Sequence, residues 1–146
     1  MTEELKAKVL LVDDEEDFLK TLAERLESRG LKVSTATSGE DAVANADKEG
    51  YDLIVLDLSM PGIDGIEALK RIKAKQPEAE IIMLTGQGSI RTSIEAMKLG
   101  AEDFLQKPVN ITELMEKISE AKEKRMLVLQ AKSAKEIGKI LHTKGW

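Results

Sequence analysis

A chain of 146 residues and 16.1 kDa with 42% apolar content fits one domain with one core, since a globular chain of this size buries roughly 68 to 70% of the surface its unfolded form exposes. The absence of cysteine and the single histidine, His142, exclude a disulfide framework, a thiolate zinc site, a thiol nucleophile and a multi-histidine metal centre. The formal charge of -5 is uneven: Lys122 to Trp146 holds seven Lys/Arg against two Glu, leaving 15 basic against 25 acidic residues in the first 121, a balance of -10.

An acidic body does not suit the nucleic-acid backbone, so direct nucleic-acid binding is not expected, while the basic tail could touch an acidic partner or simply be a solvated helix face. No apolar run approaches the roughly 18 residues of a membrane span, and Met1 to Lys8 is too short and too charged for a secretory signal. A soluble, cytoplasmic protein is expected.

In chain order, Val9-Leu10-Leu11-Val12 opens the series with a continuous apolar run, the pattern of a strand buried on both faces. Phe18, Leu19, Leu22 and Leu26 then follow helical spacing up to Gly30, which tolerates a left-handed cap. Leu31 to Ala36 mixes polar and apolar residues and predicts a strand at the margin of a sheet. Ser38 stands three residues before Asp41, as Asp64 does before Glu67 and Asn110 before Glu113, and each pair predicts a capped helix start. Leu53-Ile54-Val55-Leu56 and Ile81-Ile82-Met83-Leu84 predict two more buried strands, with Pro77 closing the helix between them. A fourth helix is predicted over about Ser89 to Leu99 before Gly100, a second marginal strand over Ala101 to Gln106, and a fifth helix after Asn110 with Ile111, Leu114, Met115 and Ile118 on one face. Five strands alternating with five helices imply a doubly wound parallel sheet. With the continuous runs central and the mixed ones outside, the flavodoxin-like order 2-1-3-4-5 fits.

In such sheets the working site lies beyond the carboxyl ends of the strands. There the first strand ends in Asp13-Asp14, the third in Asp57, the fourth in Thr85, and the fifth leads into Lys107-Pro108. Carboxylates 4 Å apart repel by about 4 kcal/mol per pair at an effective dielectric near 20, so cations must balance them. Mg²⁺ suits one or two carboxylates while leaving room for a phosphoryl oxygen, and Lys107 supplies a second positive charge. Asp57, on the central strand, is the natural nucleophile for an aspartyl phosphate, and Thr85 could hydrogen-bond the transferring group.

These residues resemble the receiver domain of two-component response regulators over about Lys8 to Ala121. Leu11-Val12-Asp13-Asp14-Glu15 looks like the family's acidic pair. Asp57-Leu58-Ser59-Met60-Pro61-Gly62-Ile63-Asp64-Gly65 looks like its phosphoacceptor and following loop. Leu84-Thr85-Gly86 and Lys107-Pro108 resemble its switch hydroxyl and its lysine with a cis proline. The resemblance implies that Asp57 takes phosphate from a histidine kinase or a histidine phosphotransfer protein. It implies Mg²⁺ held by Asp14, Asp57 and the Ser59 carbonyl, with Asp13 joining through water. It also implies a switch in which Thr85 and Phe104 move together, with output through the fourth and fifth helices or through a homodimer. Ser59 and Gln87 stand where the family tunes the phosphate's lifetime. Such a domain is a signalling phosphoacceptor and not an enzyme with turnover.

Three other readings compete. A haloacid-dehalogenase-like phosphohydrolase would place a second aspartate two residues beyond the nucleophile, where Ser59 stands. A flavin or nucleotide module would need a phosphate cradle after the first strand, where Asp13-Asp14-Glu15-Glu16-Asp17 repels phosphate. A docking module independent of phosphorylation would not need the intact set of Asp14, Asp57, Thr85 and Lys107. Residues 1–121 are therefore expected to form the receiver, and 122–146 a basic helical extension or a truncated linker with no separate output domain. His142 and Trp146 read as surface residues of that tail.

Overall fold

The computed structural model describes residues 7–48, 50–60, 62–86 and 90–143. The elements are β1 (Lys8–Val12), α1 (Glu16–Glu27), β2 (Lys32–Ala36), α2 (Gly39–Lys48), β3 (Leu53–Asp57), α3 (Gly65–Lys75), β4 (Ile81–Thr85), α4 (Ile90–Lys98), β5 (Asp103–Gln106) and α5 (Ile111–Thr143). The five strands form one parallel sheet in the order β2-β1-β3-β4-β5, the flavodoxin-like arrangement expected of these patterns. β3 and β4 are buried along their whole length, whereas the outer strands β2 and β5 mix exposed, half-buried and buried residues. The continuous and mixed runs thus mark centre and edge.

Alternate side chains of each strand feed two cores, because successive residues of a strand point to opposite faces. Leu10, Val12, Ile54, Leu56, Ile81 and Met83 meet Ala42 and Ala46 of α2, Ala68, Leu69 and Ile72 of α3 and Ala96 of α4. On the other face Val9, Leu11, Val55, Ile82 and Leu84 meet Leu19, Leu22 and Leu26 of α1 and Leu114, Ile118 and Ala121 of α5.

All three predicted caps form. Ser38 Oγ accepts from the Asp41 N–H at 3.1 Å, Asp64 Oδ1 from Glu67 at 2.9 Å, and Asn110 Oδ1 from Glu113 at 3.0 Å. The two marginal strands begin later than their composition suggests. Leu31 and Ala101 follow the positive-φ residues Gly30 and Gly100, and their N–H groups donate back to Leu26 and Ala96. Each closes a helix end before its strand starts.

The fifth helix is the largest departure from a minimal fold. It runs 33 residues without a break, and among its described side chains the last buried one is Ala121. Beyond that point it follows the amino-terminal edge of the sheet. Lys124 pairs with Glu102 at 2.5 Å, Arg125 with Asp52 at 3.6 Å and Lys132 with Glu78 at 2.5 Å. Among the described residues no helix is long and apolar enough to cross a membrane.

Candidate functional site

The carboxyl ends of β1 and β3 bring Asp13, Asp14 and Asp57 together, each offering an oxygen within 4.8 Å of the others. Among the described residues no other group of three or more acidic, His or Cys side chains has metal-binding spacing. Asp13 is fully buried, Asp57 is 5% exposed and Asp14 faces solvent. Asp13 Oδ1 accepts from the Glu15 N–H at 2.9 Å, which turns the chain into α1, and Asp57 Oδ1 accepts from the Ser59 N–H at 3.3 Å.

Lys107 reaches this cluster from the loop after β5. Its own N–H donates to the Thr85 carbonyl at 2.8 Å, so the end of β4 fixes its backbone, and the Lys107–Pro108 peptide is cis. Its Nζ lies 2.6 Å from Asp13 Oδ2, 3.5 Å from Glu15 Oε1 and 4.0 Å from Asp57 Oδ2. The buried Asp13 Oδ2 has the Lys107 ammonium as its near partner and keeps lone-pair capacity beyond that contact.

The electrostatics follow from that count. One ammonium faces three carboxylates, an excess of negative charge in a partly dehydrated place. Burial, then the Asp13 charge and to a lesser degree Asp14, push the Asp57 carboxyl from 3.8 up to about 6, against the opposing pull of the Ser59 N–H and Lys107. Burial acts on Lys107 in the opposite sense, but its contact with Asp13 and the charges of Asp57 and Glu15 outweigh that and hold the ammonium above its ordinary value. An arrangement of this kind can take up a hard cation through oxygen donors, and it can stabilise negative charge added at Asp57.

The remaining sequence-selected residues fall as follows. Thr85, buried at the end of β4, donates its hydroxyl to the Leu105 carbonyl at 3.5 Å. Phe104 is half-buried on β5 opposite Met83, against the core face of α2, α3 and α4. Ser59 carries an exposed side chain. Gln87 lies outside the described residues. Two partners of Lys107 escaped the sequence reading. Phe18, taken only as part of the apolar face of α1, holds its ring centroid 4.6 Å from the ammonium, and Glu15 adds its charge. The helical spacing of Phe18 showed that it was apolar, but nothing local showed that a loop about ninety residues later would return over it.

Comparison with known proteins settles the family. The model of the response regulator receiver domain matches residues 9–119. The chain belongs to that family. Receivers are signalling phosphoacceptor domains of two-component systems and generally bind Mg²⁺ at an acidic pocket, which here corresponds to the aspartate cluster.

This receiver is 34% identical over 125 residues to the C4-dicarboxylate transport transcriptional regulatory protein DctD of Rhizobium meliloti, covering 86% of this chain and 27% of that protein. It is 38% identical over 116 residues to the transcriptional regulatory protein ZraR of Salmonella typhimurium, covering 80% and 26%. It thus spans about a quarter of the length of these two relatives. Among solved structures, a receiver domain protein from Clostridium thermocellum superimposes with a TM-score of 0.80 at 34% identity, covering 84% of this chain and 98% of that one. NtrX of Brucella abortus gives 0.80 at 31% identity, with 89% of this chain and 30% of that one covered.

Proposed function

We propose that this receiver takes a phosphoryl group onto Asp57 from the phosphohistidine of a histidine kinase or histidine phosphotransfer protein, in the cytoplasm and with Mg²⁺ bound. The observation that carries the reading is the convergence of Asp13, Asp14 and Asp57 within 4.8 Å of one another, with the Lys107 ammonium 4.0 Å from Asp57. Asp14, Asp57 and the Ser59 carbonyl would hold the ion, with Asp13 joining through water. The donor set is all oxygen, as a hard cation requires. Bound there, Mg²⁺ supplies positive charge against the oxygens of the transferring group.

In the transfer, an Asp57 oxygen forms the new bond to phosphorus as the bond from phosphorus to the histidine nitrogen breaks, and the ring, already protonated on its other nitrogen, leaves as neutral imidazole. Lys107 lies close enough to turn from Asp13 towards the new phosphoryl oxygens. The donor protein finds an apolar footing beside them, in an open groove of about 500 Å³ lined by Phe18, Leu22, Pro108 and Val109 next to Lys107. The Thr85 hydroxyl has only a bond at the outer limit of hydrogen-bond length to give up. It exchanges that partner for a phosphoryl oxygen, and Phe104 follows inward as the second part of a two-state element. Ser59 and Gln87 shape the access of water and hence the lifetime of the phosphorylated state.

The surface that reads out this change lies around α4 and α5, where Ile94 and Met97 of α4 stand 51% and 40% exposed. An effector, an output domain or a second copy would dock there. Residues 1–121 serve as the phosphoacceptor unit and 122–146 as a basic helical extension or linker, in keeping with Ala121 as the last buried residue among the described side chains of α5. The domain assists its own phosphorylation and dephosphorylation without turnover of a separate substrate.

The test is incubation with a small phosphodonor and Mg²⁺ followed by intact mass. Uptake of one phosphate by the native chain, absent from Asp57→Asn, is the expected result. No uptake from any donor would return the protein to a docking module independent of phosphorylation.

A further inference from the structure

The loop between β3 and α3 carries the Ser59 carbonyl, so whatever holds that loop bears on the acceptor site. Its two ends are held locally. The Gly65 N–H donates to the Leu58 carbonyl at 3.2 Å, and Gly65 packs so tightly that a Cβ there would lie 2.2 Å from the Asp57 carbonyl oxygen. Asp64 caps α3 by accepting from Glu67.

The outer side of the loop is held by a different element. Glu40, the second residue of α2, accepts the Ile63 N–H on Oε1 at 2.9 Å, across 23 positions of sequence. The backbones on either side are shaped for this approach. A Cβ at Gly39 would come within 2.4 Å of Ile63 Cγ1, and Gly62, at φ +78°, leaves room that a Cβ would take 2.7 Å from Glu40 Oε1. The Ile63 N–H holds the Glu40 carboxyl below its ordinary range, with its own backbone N–H, Ser38 and Arg71 acting in the same sense. Glu40 is exposed and adds nothing to either core; its other polar contacts, with its own N–H and Ser38, stay at the start of α2, and its bond to Ile63 is the one that reaches the loop.

We propose that Glu40 is a positioning residue of the phosphoacceptor site: its carboxylate pins the Ile63 amide, and through it the β3–α3 loop, so that the Ser59 carbonyl stays where it completes the Mg²⁺-binding set. This rests on the Mg²⁺-dependent reading above. A charge-assisted hydrogen bond from the Ile63 N–H to an ionised acceptor suits a single exposed pin better than a neutral one.

The test compares the native chain with Glu40→Ala and Glu40→Gln in three measurements: Mg²⁺ affinity by calorimetry, hydrogen exchange of the Ile63 amide in metal-free protein, and the phosphorylation rate from a small phosphodonor at low and saturating Mg²⁺. Glu40→Ala is expected to weaken Mg²⁺ binding about tenfold, as loss of an outer-shell partner does. It should also speed exchange at Ile63 and slow phosphorylation at low Mg²⁺, with recovery at saturation. Glu40→Gln keeps an acceptor oxygen and should restore most of the affinity. Native-like Mg²⁺ binding in Glu40→Ala, or an Ile63 amide that does not respond, overturns the pin alone. A native chain that binds no Mg²⁺ overturns the underlying function and the pin with it.

Discussion

Lys107 Nζ stands 2.6 Å from Asp13 Oδ2 and 4.0 Å from Asp57 Oδ2, so before phosphorylation the ammonium belongs more to the buried end of β1 than to the proposed acceptor. Asp13 has no exposed surface and its Oδ2 has no hydrogen-bond donor to replace the lysine. Lys107→Met therefore strands a buried carboxylate. The expected cost is about 3 kcal/mol of stability at neutral pH, read by denaturant unfolding, together with loss of phosphate uptake. A variant as stable as the native chain would show that solvent or a counterion already neutralises Asp13.

The Asp57 carboxyl, raised from 3.8 to about 6, predicts a pH dependence of stability in metal-free buffer. A raised carboxyl favours the folded state fully below the unfolded value and loses that advantage as pH rises through about 6. At pH 7.5 the ionised side chain is a burden, so Asp57→Asn should be more stable than the native chain by about 1 to 3 kcal/mol, and the difference should vanish near pH 4. Thermal unfolding across this range checks it, and a constant difference at all pH values would place its origin elsewhere.

Metal addition should act in the opposite sense. Mg²⁺ binds the ionised cluster, so its stabilisation of the native chain should grow as pH rises through about 6 and disappear with a chelator. At Mg²⁺ a hundredfold above its dissociation constant the expected gain is about 2.7 kcal/mol. Equal stabilisation of Asp57→Asn would mean that the ion sits elsewhere.

Gly65→Ala tests the junction of β3 with its loop. The added Cβ would fall 2.2 Å from the Asp57 carbonyl oxygen and 2.7 Å from Leu58 Cα, both backbone atoms that cannot swing aside. A loss of about 2 kcal/mol or more, with impaired phosphorylation, is expected. By contrast Gly86→Ala meets nothing within 4 Å and should leave stability nearly unchanged.

At the opposite edge of the sheet, burial and the neighbouring Glu102 raise the Glu80 carboxyl, while Lys124 and Lys73 pull it down. By the same linkage its contribution is full below 4.5 and lost as pH rises through the raised value. Glu80→Gln, which can donate to Glu102 at any pH, should gain about 1 kcal/mol at pH 7.5 and nothing near pH 4. Carboxyl carbon shifts of Glu80 in the native chain provide a direct check, and a normal titration there would refute it.

Much of this molecule was legible residue by residue. The unbroken runs at Val9, Leu53 and Ile81 mark central strands because burial on both faces leaves no polar position. Asp13, Asp57, Thr85 and Lys107 could be placed together because parallel strands align their carboxyl ends. The late starts of β2 and β5 were not legible, since Leu31 and Ala101 are as apolar as strand residues and only their N–H bonds to Leu26 and Ala96 reveal helix ends.

What the sequence determined by itself was thus the order of elements, the sheet and the acidic set, because periodicity, capping and strand ends depend on near neighbours. Only the tertiary structure decided that Lys107 leans on Asp13 beneath the Phe18 ring, that Glu40 holds the loop at Ile63, and that α5 continues past Ala121 to pair Lys124, Arg125 and Lys132 with Glu102, Asp52 and Glu78. Those contacts join residues far apart in the chain. Their strength and the protonation of Asp57 depend on how much water the surrounding fold removes, a quantity that no local pattern records.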